Sequence, residues 1–232
     1  MTGISTVLST SLSLIFISKP IRSTTTRAGA SLPTGRPPRN WAALRSPTLP
    51  RARLFSIGII VGDEDLFVAN GHMDDNVELF EETTHAQWNQ MFRNDGGEGF
   101  AEVDAGLWAQ ESSRGTVVGD YDDDGDLDVA VVHINARASL MRNNADGHWL
   151  AIRLAGGLDG VGARVSVRTG DRVQVREASR GGSYLSIHDP RLYFGLGEWT
   201  KVDAVEIRWS GGAVPRIAGV AADQLLVVEE RP

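Results

Sequence analysis

The stretch Gly119–Val129, GDYDDDGDLDV, places six aspartates among eleven residues, between two runs rich in valine. Asp120, Asp122, Asp124, Asp126 and Asp128 fall on alternate positions, with Gly125 at the sixth place counted from Asp120. Calcium is a hard cation that takes about six to eight oxygens, and carboxylates at the first, third and fifth places with a carbonyl at the seventh wrap one side of it. Glycine at the sixth place permits the reversal by tolerating positive φ. Without a cation such a loop repels itself, each like-charge pair near 4 Å costing up to about 4 kcal/mol at an effective dielectric of 20. An EF-hand would require Glu at the twelfth place, where Val131 stands inside a strand-like run. The ninth residue, Asp128, can close the site instead. The spacing therefore predicts Asp120, Asp122, Asp124 and Asp128 as side-chain ligands of Ca²⁺ and Asp126 as a backbone-carbonyl ligand, with Tyr121 and Asp123 turned away. Mg²⁺ fits less well, because it dehydrates reluctantly and seldom takes an all-protein cage. A solvated acidic turn without metal is the plain alternative.

The elements around this loop read as strands. LFVAN (66–70), TVVG (116–119), LDVAVVHI (127–134), WLAIRL (149–154), ARVSVR (163–168), RVQVRE (172–177), LYFGL (192–196), AVEIRW (204–209) and QLLVVE (224–229) are short apolar runs separated by Gly, Asp and Asn turns. No stretch carries apolar residues at helical spacing over a dozen positions. Thr84–Phe92 is expected to form a short helical turn. Val165, Val167, Val173 and Val175 share one face of a hairpin only if Val167 opposes Val173, because side chains alternate. That register predicts a three-residue loop, Thr169–Gly170–Asp171, and disfavours a two-residue Gly-Asp turn.

Composition supports an all-β chain, with 26 glycines among 232 residues and few helix-forming runs. There is no cysteine, which excludes disulfides, thiolate metal sites and thiol nucleophiles. A net charge of −7 argues against general affinity for nucleic acid or anionic lipid. The charge is uneven. Up to Gly62 there is no acid, against Lys19 and seven arginines, whereas 30 acids face 15 bases from Asp63 onward. Residues 1–53, rich in Ser, Thr, Pro and Arg, are expected to be a disordered or artefactual leader. Their apolar run Val7–Ile17 lacks a preceding positive charge and is too short to span a bilayer, so neither a convincing export signal nor stable membrane insertion is expected.

Other chemistry finds little support. His72, His85, His133, His148 and His188 show no metal-ligand spacing, and roles in turns and packing are expected. Ser183, Ser186, His188 and Asp189 contain the residue types of a hydrolase triad, but no nucleophile elbow accompanies them. Their glycine and Asp-Pro neighbours suit turns. Trp149, Tyr184, Tyr193, Phe194 and Trp209 are candidates for a carbohydrate-binding face, with core packing the preferred reading.

GDYDDDGDLDVAVVHINARASLMRN resembles the FG-GAP/VCBS repeat, a calcium-loop hairpin of integrin-like β-propeller blades. DEDLFVANGH followed by MFRNDGGEGFAEV is similar to the later part of a preceding blade, Asp65 paralleling Asp128 and Phe92-Arg-Asn paralleling Met141-Arg-Asn. From His148 the chain resembles the ASPIC/UnbV domain through GHWLAIRLAG, GVGARVSV, GGSYLSIHDPRLYFGLG and KVDAVEIRWSGG. Together these imply a leader (1–53), a partial β-propeller (54–147) and a β-sandwich-like ASPIC/UnbV domain (148–232). The function implied is a non-enzymatic, calcium-binding extracellular, periplasmic or cell-surface module for adhesion or for binding a protein or carbohydrate ligand. The alternatives are an accessory domain of a biosynthetic or carbohydrate-acting enzyme system, and a truncated fragment without independent function. One departure stands out: aligning Asp65 with Asp128 puts Ile57, Ile59 and Val61 where calcium ligands are expected. Codons for Ser56–Ile60 can read Asp-Trp-Asp-Asn in a neighbouring frame, so residues before about Gly62 are expected to be out of frame or a genuine leader.

Overall fold

A computed structural model describes residues 65–94, 100–103, 110–212 and 214–230, together with the backbone of two strands at 12–16 and 57–60. The chain is all-β. In order, the strands are β1 (Leu12–Phe16), β2 (Ile57–Ile60), β3 (Asp65–Val68), β4 (Gln87–Trp88), β5 (Gln90–Asn94), β6 (Phe100–Val103), β7 (Gln110–Glu111), β8 (Ser113–Gly119), β9 (Asp128–His133) and β10 (Ala138–Arg142). They continue as β11 (His148–Ala155), β12 (Arg164–Thr169), β13 (Arg172–Glu177), β14 (Gly182–Ser183), β15 (Ser186–Ile187), β16 (Leu192–Gly197), β17 (Lys201–Arg208), β18 (Arg216–Ala221) and β19 (Gln224–Glu229). All nine runs read as strands from the sequence contribute to these elements. The rest of the leader lies outside the described residues. Among the described residues no helix is long and apolar enough to cross a membrane.

Two four-stranded sheets make the first half, ordered β2-β3-β5-β6 and β1-β10-β9-β8. The hairpins that open them share a register. Val68 pairs with Ile57 and Asp65 with Ile60, as Val131 pairs with Thr116 and Asp128 with Gly119. Strand β2 thus stands where β8 stands in the second sheet. The aspartate loop spans the eight residues between Gly119 and Asp128, whereas only four separate Ile60 from Asp65. Ile57 and Ile59 correspond to strand positions and not to ligand positions, which corrects the ungapped alignment made from the sequence. Val61 lies outside the described residues.

The expected helical turn at Thr84–Phe92 is not formed; β4 and β5 occupy it. Asn70 explains the extended path: its backbone N–H donates to Asn89 Oδ1, and its side-chain amide donates to the Trp88 carbonyl and Gln90 Oε1. Three donated bonds from one buried residue outweigh weak local helix preference.

The second half packs a three-stranded sheet, β16-β11-β19, against a four-stranded one, β13-β12-β17-β18. Leu150, Ile152, Leu154, Phe194 and Leu196 meet Val165, Val167, Val205 and Ile207 in a common core. The β12–β13 register differs from the one expected: Val167 faces Gln174, Val165 faces Arg176, and the turn is the two-residue Gly170–Asp171. Gly170 at φ +55° supplies the positive φ that a tight hairpin needs at its first turn position. The polar residues drawn onto the buried face are partly compensated: Gln174 Nε2 donates to the Gly195 carbonyl at 2.8 Å, its Oε1 having no partner, and the Arg176 guanidinium lies over the Phe194 ring. Val173 is left on the outer face, 45% exposed.

Strand β11 is buried on both sides. Leu150, Ile152 and Leu154 enter the second-half core, while Ala151 joins Phe67, Met91, Val118, Val129, Val131, Met141 and Tyr193 in the core of the first half. That explains why Leu150, Ala151 and Ile152 run on as apolar residues without alternation, while Arg153, further along the Ala151 face, is exposed. The sequence boundary at His148 is crossed by a shared core. Phe194 is fully buried, so Phe194→Ala is expected to cost about 3–5 kcal/mol, read as a lower urea midpoint with an unchanged m-value.

Candidate metal centre

The aspartate loop is held at both ends by ladder pairing, Gly119 opposite Asp128. Within it, Asp120 Oδ1 accepts from the Asp124 N–H and Oδ2 from the Gly125 N–H, each at 3.1 Å. Asp124 Oδ1 accepts from the Asp126 N–H. Asp128 is buried and fastens the loop: its Oδ2 accepts from the Tyr121 N–H and its Oδ1 from the Asn143 N–H, both at 2.8 Å. Asp120, Asp122 and Asp124 each bring one carboxylate oxygen within 4.8 Å of the others. Gly125 has φ +96°, and a Cβ there would fall inside the indole of Trp149. Two constraints, conformation and contact, thus fix glycine at this place. Asp123 also takes positive φ, at 56°, and Tyr121 is exposed.

Crowding shows in the acidities. Burial, and then the charge of Asp124, pushes the Asp126 carboxyl from 3.8 up to about 7. Burial also raises Asp120 and Asp128, in each case against the lowering effect of backbone N–H donors. A donor set of convergent, mutually repelling carboxylates fits a hard divalent cation. Asp120, Asp122 and Asp124 would hold it with side-chain oxygens; Asp128, expected as a fourth side-chain ligand, is not among the converging three, and both of its oxygens accept backbone N–H groups.

Two arginines that the spacing of the acids did not single out meet the loop at different residues. Arg142, at the end of β10, puts Nε 2.6 Å from Asp122 Oδ2 and donates from Nη2 to Asp124 Oδ2 at 3.1 Å. The Nε contact is close but not aligned as a hydrogen bond, so it counts as an ion pair. Arg191 donates from Nη2 to the Asp120 carbonyl at 3.0 Å, from Nη1 to Asp123 Oδ1 at 2.9 Å, and from Nε and Nη2 to Asp189 Oδ2. Its guanidinium lies over the Tyr193 ring. The available signal was the excess of acids itself, which calls for basic partners.

The Ser/His/Asp cluster of 183–189 serves as a strap along the free edge of β8. Ser183 Oγ accepts from the Thr116 N–H, His188 Nδ1 from the Val118 N–H, and the Asp189 N–H donates to the Val118 carbonyl. His133 bridges Ser113 and Ser139, and burial lowers its pKa. His72 Nδ1 accepts from the Asp74 N–H, His85 Nδ1 lies 3.0 Å from the Asp74 carbonyl, and His148 pairs with Asp223 at 2.7 Å. The histidines take packing and turn contacts, and the two that meet, His72 and His85, do so through a backbone hydrogen bond and their shared neighbour Asp74. Of the aromatic candidates, Tyr193, Phe194 and Trp209 are buried, Trp149 is half-buried on the loop, and Tyr184 is exposed.

Residues 155–232 match the family model described as ASPIC and UnbV, so the C-terminal part of the chain carries that domain. A search of curated proteins returns no match.

The folded chain holds the Asp126, Asp120 and Asp128 protons more tightly than the unfolded chain does. Stability without metal should therefore fall as pH rises from about 4 through about 7. In chelator, Tm is expected to drop between pH 5 and pH 8, and Asp126→Asn is expected to flatten that slope. A Tm that rises over the interval would contradict this ionisation pattern.

Proposed function

We propose that this chain is a non-enzymatic, calcium-binding module of an extracellular, periplasmic or cell-surface protein, serving adhesion or the binding of a protein or carbohydrate ligand. One observation carries the reading: Asp120, Asp122 and Asp124 converge within 4.8 Å on a loop reversed at Gly125. The ion supplies positive charge that neutralises the turn and ties β8 to β9. In this reading β2-β3-β5-β6 and β8-β9-β10 are FG-GAP/VCBS-type blades of a partial propeller, the shared register of their opening hairpins supporting the repeat. The C-terminal part is a β-sandwich-like ASPIC/UnbV domain seated on the second blade.

Extracellular calcium modules bind at about 10⁻⁴–10⁻³ M, a range that a loop with three half-exposed or buried carboxylates suits. Calorimetric titration of calcium into the full chain should give saturable heat, and Asp122→Ala or Asp124→Ala should weaken binding roughly tenfold or more. Variants that bind as the parent does would remove the metal assignment. A glycan array probed in calcium and again in chelator separates a calcium-dependent carbohydrate ligand from a protein one.

A further inference from the structure

The reading above leaves Arg142 unexplained. It is a cation already seated on two of the three converging carboxylates, with Nε 2.6 Å from Asp122 Oδ2 and Nη2 3.1 Å from Asp124 Oδ2. Those two side chains also lie on the solvent side of the cage, 24% and 32% exposed, whereas Asp120 is buried. Arg142 therefore covers the face by which an ion from solution would enter. Arg191 differs, because it meets Asp120 only at the backbone carbonyl, and the carboxylates it binds, Asp123 and Asp189, lie outside the converging triad.

Resting on the calcium assignment, we propose that Arg142 is a built-in competitor that sets the calcium threshold of the loop. Calcium binding is then an exchange: the guanidinium leaves the Asp122 and Asp124 oxygens as the ion takes them. The side chain is suited to this, since it is 37% exposed and sits at the last residue of β10, with room toward solvent. A guanidinium spanning two carboxylates is a better occupant than an ammonium, which meets them as a point charge. The exchange serves two ends. It keeps the hairpin neutralised when calcium is scarce, and it lowers affinity, so that only a calcium-rich surrounding fills the site.

The test uses the full chain with CaCl₂ as the probe. In Arg142→Gln, calorimetry should show calcium binding roughly twofold to fivefold tighter than in the parent, the scale of a partly exposed ion pair removed from competition. In chelator the same variant should have a lower Tm than the parent, and saturating calcium should narrow or close that gap. A residue with a merely structural role would lower Tm in both conditions and weaken calcium binding. Equal or weaker affinity in Arg142→Gln overturns the proposal while leaving the calcium site standing. Absence of binding in both proteins removes the calcium reading itself. If Arg142→Gln does not fold, Arg142→Lys carries the test: it keeps the charge, loses the two-pronged contact, and should also bind calcium more tightly than the parent.

Discussion

Like charge held at close range organises this molecule. Six aspartates in one turn would drive β8 and β9 apart, and nearly every unusual contact nearby answers that repulsion. Backbone N–H groups of Tyr121, Asp124, Gly125, Asp126 and Asn143 all point at carboxylate oxygens. Arg142 approaches from the second sheet and Arg191 from the C-terminal part. The C-terminal part is consequently oriented by electrostatics at one point and by apolar packing at another. Arg191 and the strap of 183–189 fix the first, and Trp149, Ala151 and Tyr193 fix the second.

The strap solves a second physical problem. Strand β8 is the edge of its sheet, and an open edge invites pairing with another chain. Here the GGSYLSIHDP segment meets it with side-chain acceptors and one backbone bond, so residues that resemble catalytic types are spent on edge protection. The identity of those residues follows from the work: Ser and His accept backbone N–H groups without carrying the β-pairing onward.

Much of this was legible in advance, for reasons of local physics. Period-two apolar runs and glycine turns gave the strands, and the spacing of Asp120, Asp122, Asp124 with Gly125 gave the loop. The failures share a cause, in that a distant partner altered what local pattern favoured. Val173 and Val175 made an apolar face attractive for the β12–β13 hairpin, yet the tight Gly170 turn prevailed, with Gly195 taking the Gln174 amide donor and Phe194 lying under Arg176. Thr84–Phe92 extended because Asn70 binds its backbone across some twenty residues of sequence. The excess of acids called for basic partners, but which arginines they are could not be read locally, since Arg142 lies 18 residues from Asp124 and Arg191 68 residues from Asp123.

Strand β11 carries one more consequence. Its alternate residues feed two different cores, so neither half owns it. Parts that share a strand in this way cannot be traded between proteins as finished pieces. A recombination joint placed at Gly147 would hand the recipient a strand with one face made for a partner it lacks. The physical unit here is the pair, loop-bearing sheet and C-terminal sheets together, joined through that one strand.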